Sequence, residues 1–351
     1  MSDRWTTAYR GRRVFVTGLT GFKGTWLGLW LKRLGAEVSG LALAPDEPML
    51  RGWPGLADHL PCTVADVRDP AVVSRLMEAA RPDIVFHLAA QPLVRLSYRE
   101  PVETFSTNVL GTAHVLDAVR RLPTPPPVVN VTSDKCYENR EWVWGYREDE
   151  AMGGHDPYSA SKGCAELVAS AFRRSFGLRV ASGRAGNVIG GGDWAADRLV
   201  PDLVRAILAG QPLVLRRPAS IRPWQHVLEP LSGYLAVGSR LLNGHDGAVG
   251  GWNFGPSDPH PLTVREVAHL LVKHWGQGSV AEAEEPGAPH EAHYLRLDSS
   301  KAGAELGWRA MLTPEERMQW TVEWYKAWQA DPASVWRVTA DQIARYEGRA
   351  A

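Results

Sequence analysis

Tyr158-Ser159-Ala160-Ser161-Lys162 sets a phenol and an ammonium four residues apart, a spacing that places both on one face of a helix. A phenol with a pKa of about 10 is a poor base at neutral pH, but a neighbouring ammonium and a positive nicotinamide ring both favour its phenolate. Such a pair is common by chance. It gains meaning because it follows Asp134-Lys135 and because a glycine-spaced segment, Thr17-Gly18-Leu19-Thr20-Gly21-Phe22-Lys23-Gly24, lies upstream. Glycines at 18, 21 and 24 let the chain turn tightly, let backbone N–H groups approach a pyrophosphate, and let a helix pack closely on its strand. Together these segments point to chemistry with a nicotinamide dinucleotide.

The elements that must hold these residues can be read from periodicity. Val14-Phe15-Val16 is a strand, the glycine segment its turn, and Thr25 to Leu34 the following helix. The alternation continues with a strand over 37–43, a helix over 72–80, a buried strand over 84–88, a helix over 104–120 and a strand over 128–131. A long helix over 159–176, which Pro157 helps to begin, and a strand over 179–182 complete it. Strands alternating with helices at this spacing predict an α/β fold, a Rossmann-type doubly wound parallel sheet with helices on both faces. Beyond Gly186 the alternation gives way to Gly- and Pro-rich segments with short helices, and terminal helices are expected over 317–329 and 335–346. The expected division is a dinucleotide-binding domain over 1–185, with a later return of the chain near 225–260. A smaller mixed α/β substrate lobe would occupy most of 186–351.

An acid at the end of the second strand ordinarily binds the adenosine ribose. Here the sequence reads Gly40-Leu41-Ala42-Leu43-Ala44-Pro45, and Asp46 comes late. No cluster of arginines stands there for a 2′-phosphate, so NAD is favoured over NADP. Asp66-Val67 is expected at the end of the third strand, beside the adenine.

The chain has 351 residues, with 39 Lys+Arg balanced by 39 Asp+Glu. That balance argues against nucleic acid or an anionic membrane surface as partner. No apolar run reaches the roughly 18 residues of a membrane span, and the polar first ten residues lack a signal-peptide core, so a cytoplasmic protein is expected. Three widely spaced cysteines, Cys62, Cys136 and Cys164, read as buried free thiols. No metal site is expected; His290 and His293 sit in an acidic, Pro/Gly-containing stretch that reads as a solvated loop. Trp26 and Trp30, four apart on the first helix, read as packing residues.

Through Thr17 to Gly24, His87-Leu88-Ala89-Ala90, Asn108 and Tyr158 to Lys162, the sequence resembles the extended short-chain dehydrogenase/reductase family. Phe22-Lys23-Gly24-Thr25-Trp26-Leu27, Thr132-Ser133-Asp134-Lys135-Cys136-Tyr137, 186–194 and Ile221-Arg222-Pro223-Trp224-Gln225-His226-Val227 narrow the resemblance to its CDP-glucose 4,6-dehydratase subgroup. It spans about residues 10 to 330.

The resemblance implies oxidation of a sugar at C4, loss of water across C5 and C6, and return of the same hydride to C6. It makes Tyr158 the base at the C4 hydroxyl, Lys162 its ammonium and ribose ligand, and Ser133, or less readily Thr132, the hydrogen-bond donor to the C4 oxygen. Asp134 and Lys135 become the acid and base of the elimination, where the related dTDP-glucose dehydratases carry Asp-Glu. For that, Lys135 must be neutral and Asp134 protonated, a requirement that one shared proton would meet. The dinucleotide would be held by Gly18, Gly21, Phe22, Lys23, Gly24, Asp66, Val67, Leu88, Ala89, Ala90, Gln91, Tyr158 and Lys162. Arg222, Arg198, Asn187, Trp224 and Thr132 would face the sugar nucleotide, Arg222 as a bidentate diphosphate ligand. The family likeness also implies a homodimer or higher homo-oligomer, built through the helices near 104–120 and 159–176. Two other readings stand beside this one: another nucleotide-sugar dehydratase or a 4-epimerase, which would not need Asp134-Lys135 as a pair, and a non-catalytic dinucleotide sensor, which could dispense with Tyr158, Lys162 and Arg222.

Overall fold

The computed structural model describes residues 5–256, 258, 261–283 and 294–350. His290 and His293 lie outside the described residues. In chain order the strands are β1 (Arg13–Thr17), β2 (Glu37–Ala42), β3 (Thr63–Val64), β4 (Ile84–His87), β5 (Val128–Val131), β6 (Val180–Ala185), β7 (Val188–Ile189), β8 (Leu213–Leu215), β9 (Gln225–His226), β10 (Gly250–Phe254) and β11 (Val280–Glu282). Seven form one sheet in the order β10-β6-β5-β4-β1-β2-β3, every pair parallel. This is a Rossmann-type sheet, and its strand order reverses between β1 and β4, where such sheets bind ligands.

The strands are apolar on both faces, as a sheet covered by helices requires. Val14 and Val16 of β1, Ile84 and Phe86 of β4, and Val129 and Val131 of β5 turn to one core, which they share with Trp26, Trp30, Leu231 and Leu235. Phe15, Val85 and Val128 turn to the other, against Val73, Met77, Val115, Val119 and Ala169. Trp26 and Trp30 are fully buried, in keeping with packing.

Helix Pro157–Phe176 starts with Asp156 accepting from Ser159 N and with proline in its first turn, and it ends at Gly177 in the left-handed region. The helix expected over 104–120 runs unbroken from Pro101 to Arg121 and contains a π-helical turn, Ser106–Leu110. The wide turn carries Asn108, whose Oδ1 accepts from Gln91 N at 2.8 Å and whose Nδ2 donates to Gln91 O and Ser161 Oγ. A π-turn is the local cost of aiming that amide inward.

After β6 the chain builds two small parallel pairs, β7 with β9 and β8 with β11. Between them helix Leu228–Leu242 and strand β10 return to the large sheet, β10 pairing with β6. The C-terminal helices Pro314–Ala330 and Val335–Ala350 close the molecule, and Trp30 Nε1 donates to Glu347. No helix among the described residues is long and apolar enough to cross a membrane, and the three cysteines are free.

Candidate active site

A cleft of about 740 Å³ runs along the C-terminal ends of the strands. At its floor β1 and β4 are locked together: Thr17 Oγ1 lies 2.7 Å from His87 Nδ1 and accepts from Ala89 N, and His87 Nε2 reaches Thr112 Oγ1. Burial, helped by Lys162, lowers the His87 pKa to about 3 and keeps the ring neutral. Gly18, at φ +73°, passes so close to Ala89 N that a Cβ there would sit 2.8 Å away, and a Cβ on Gly24 would meet Gly18 O at 2.0 Å. Only glycine closes this turn. Helix Phe22–Arg33 then begins at Gly21 without a side-chain cap, leaving first-turn N–H groups for an anion at the cleft wall. These features fit a dinucleotide diphosphate.

The turn after β5 supplies the reactive groups. Ser133 Oγ donates to Asp134 Oδ1 at 2.9 Å and accepts from Lys135 N, and it stands beside the Tyr158 phenol, whose ionisation it favours. Asp134 is 2% exposed, and its Oδ2 makes no hydrogen bond among the described residues. Burial raises its pKa, against the pull of Lys135, Ser133 and Arg222. Tyr158 and Lys162 stand one turn apart on helix Pro157–Phe176, both buried and both lining the cleft. Burial pushes the Tyr158 phenol up to about 12, opposed by Ser133. It brings Lys162 down to about 8, opposed by Cys136 and Glu166. A dry, polarised phenol beside an ammonium and a buried carboxyl can accept and donate protons at a bound hydroxyl.

Behind this wall lies a network that motif reading missed. Glu166, one turn beyond Lys162, takes two bonds from Arg184 of β6, at 2.9 and 3.0 Å, and one from Thr132 Oγ1. Arg184 also donates to the Tyr137 hydroxyl, which donates to Asn253 of β10. The one signal in the sequence was the four-residue step from Lys162 to Glu166.

The far wall carries the remaining residues. Asn187 O accepts from Gln225 N, which sets Asn187 and Trp224 at neighbouring ends of β7 and β9. Arg222 is 7% exposed and donates to Ile221 O. Arg198 is paired with Asp193 at 2.9 Å. Asp197, at φ +61°, bridges Arg216 at 2.9 Å and Arg95 at 3.9 Å, and all three line the cleft.

The cleft thus gathers Gly18, Gly21, Phe22, Lys23, Gly24, Asp66, Val67, Leu88, Ala89, Ala90, Thr132, Ser133, Asp134, Lys135, Tyr158, Lys162, Asn187, Arg198, Arg222 and Trp224. Gln91 is the exception. Its amide is spent on Leu93 N, Leu93 O and Thr104 Oγ1, so it shapes the loop after β4 rather than facing the cleft. Strand β3 ends at Val64, and Asp66 lies beyond it, its carboxylate bound to Arg68. Asp46 caps Met49 N and is spent there.

The family model described as GDP-mannose 4,6 dehydratase matches residues 15–321. The chain is 53% identical to the CDP-glucose 4,6-dehydratase of Salmonella typhimurium, over 91% of this chain and 92% of that one. Among solved structures, the dTDP-glucose 4,6-dehydratase of Streptomyces venezuelae, with NAD bound, superposes with a TM-score of 0.76 at 26% identity, covering 90% of this chain and 97% of that one. The UDP-glucose 4-epimerase of Thermus thermophilus, also with NAD, gives 0.77 at 27% identity over 89% and 98%. A model match across most of the sequence, joined to identity at more than half the aligned positions with a curated dehydratase, makes this chain a member of the GDP-mannose 4,6-dehydratase family.

Proposed function

We propose that the protein is an NAD-dependent dehydratase that converts CDP-glucose to CDP-4-keto-6-deoxyglucose. The observation that carries this reading is Asp134: a buried carboxyl with a raised pKa and one oxygen unbonded among the described residues, on the same turn as Ser133, beside Tyr158. Oxidising and re-reducing C4, as a 4-epimerase does, needs Tyr158 and Lys162 but no second acid. Eliminating water does. The similarity to the CDP-glucose dehydratase supports the same choice and the cytidine nucleotide.

The glycine turn, the uncapped first turn of helix Phe22–Arg33 and the Leu88 to Ala90 segment would hold the dinucleotide, with Lys162 on its nicotinamide ribose. Bound NAD supplies a hydride acceptor for C4 and afterwards the donor for C6. Tyr158 removes the C4 hydroxyl proton as its phenolate, which Lys162 stabilises, while Ser133 steadies the C4 oxygen. With C4 a ketone, the C5 hydrogen is acidic. Lys135 takes that proton and Asp134, whose burial favours its protonated form, gives one to the departing C6 hydroxyl. Arg222 grips the diphosphate, with Arg198, Asn187, Thr132 and Trp224 around the sugar nucleotide.

The helices near 104–120 and 157–176 expose Phe105, Leu110 and Leu167, which supports a homodimer joined through that face. Free thiols support a cytoplasmic setting. Incubation with NAD and a panel of CDP-, UDP-, dTDP- and GDP-hexoses tests the proposal. Loss of one water from CDP-glucose, without net NADH, is the expected result; turnover without water loss would make the protein an epimerase, and no turnover on any sugar a dinucleotide sensor.

A further inference from the structure

Lys23 is a cation in an unfavourable place. It occupies the first turn of helix Phe22–Arg33, at the positive end of the helix dipole, and it lines the cleft. Among the described residues its ammonium makes no hydrogen bond or ion pair, and its one close aromatic contact is the Tyr234 ring at 5.9 Å. Five groups face it. Lys162 comes from helix Pro157–Phe176, Arg198 and Asp193 from the segment after β7, Asp134 from the turn after β5, and Tyr234 from helix Leu228–Leu242. Asp193 is already taken by Arg198, and Asp134 is bound by Ser133 with its pKa raised. Burial first, then repulsion by Lys162 and Arg198, brings Lys23 down to about 7.

A lysine held among like charges beside the reactive groups is therefore there for a ligand. Its electrostatic neighbours, Lys162, Asp134 and Arg198, are those of the reacting end of the cleft, not of the adenine end marked by Asp66 and Arg68. The oxidised nicotinamide ring is itself a cation, whereas the reduced ring is neutral. We propose that the Lys23 ammonium sets the redox poise of the site, favouring the neutral, reduced ring over the cationic, oxidised one. This rests on the reading above that the ring lies against Tyr158 and Lys162. Hydride is then drawn more readily from C4, and the reduced dinucleotide is retained until it returns the hydride to C6.

Equilibrium titration of NAD and of NADH into wild type, Lys23→Met and Lys23→Arg tests this without turnover. In K23M the preference for NADH over NAD should fall about tenfold or more, as expected for removing one nearby charge in a partly dry cleft. Tenfold in that ratio corresponds to about 30 mV for a two-electron couple. In wild type the preference should weaken as pH rises through about 7, because Lys23 loses its proton. K23R should keep the preference and flatten that pH dependence. If K23M fails to fold, the comparison of the wild-type and K23R pH series still decides the question, because Lys162 loses its proton alike in both. Equal weakening of NAD and NADH in K23M would mean that Lys23 grips the shared diphosphate, and an unchanged ratio would mean that it does neither; both overturn the proposal. Failure of wild type to bind either form would instead overturn the dinucleotide reading on which it rests.

Discussion

Thr132 Oγ1 lies 2.5 Å from Glu166 Oε1, a buried contact between the end of β5 and the helix that carries Tyr158 and Lys162. Through it the turn bearing Ser133, Asp134 and Lys135 is tied to the same carboxylate that Arg184 neutralises. The relative placement of the two reactive segments is therefore set by side chains, not by backbone pairing alone.

Removing Arg184 would leave Glu166 charged and buried without its counterion. Arg184→Met should destabilise the fold by about 3–5 kcal/mol, measured by denaturant unfolding. The effect should also depend on pH. Burial raises the Glu166 pKa, but Arg184 and the hydrogen bonds to it outweigh burial, so the folded value lies below the ordinary 4.5. The stabilisation is fully present above the unfolded pKa and is lost as pH falls through the folded one. In R184M burial acts on Glu166 without its counterion and raises its pKa, so the difference between wild type and R184M should begin to shrink as pH falls through that raised value and vanish only below the depressed wild-type one; a constant difference across the acid range would refute the assignment.

Lys135→Met separates oxidation from elimination. Single-turnover absorbance should still show NADH forming while water loss stops. Full activity in K135M would remove Lys135 from the chemistry.

Tyr158→Phe should lower kcat by about 10²–10⁴-fold, the usual contribution of a general base, with the KM for the sugar nucleotide little changed. Lys162 loses its proton at about 8. Alkaline pH should therefore depress kcat/KM as the phenolate loses its ammonium, and a profile rising steadily through that region would contradict the pairing.

Arg222→Lys keeps the charge and loses the two-pronged grip. The KM for CDP-glucose should rise by about tenfold or more while kcat falls less. Steady-state kinetics on R222K decide this, and an unchanged KM would move the diphosphate elsewhere.

Leu167 is 60% exposed on helix Pro157–Phe176. Leu167→Asp should shift the protein from dimer to monomer in sedimentation without unfolding it. An identical mass for wild type and variant would place any interface on another face.

Much of this molecule was legible because its strands bury both faces and so read as short, continuous apolar runs: β5 has the very bounds that Val128 to Val131 suggested. The glycine turn and the Tyr158/Lys162 pair were legible because backbone geometry and helical periodicity fix them locally. What could not be read depends on pairing across distance. Arg184 and Glu166 are separated by 18 residues and meet only once β6 and the helix pack. The π-turn at Asn108 answers to Gln91 and Ser161, neither of which is its sequence neighbour. Gln91 itself followed a strand end as a ligand residue would, yet its amide is consumed by its own loop.

The most direct test of the central claim follows one atom. CDP-glucose deuterated at C4 is incubated with the protein and NAD, and the product is read by mass spectrometry and NMR. Loss of one water with the deuterium now on C6, and no net NADH, is the result this account requires. A product that keeps all its water, with the deuterium still on an inverted C4, would contradict it.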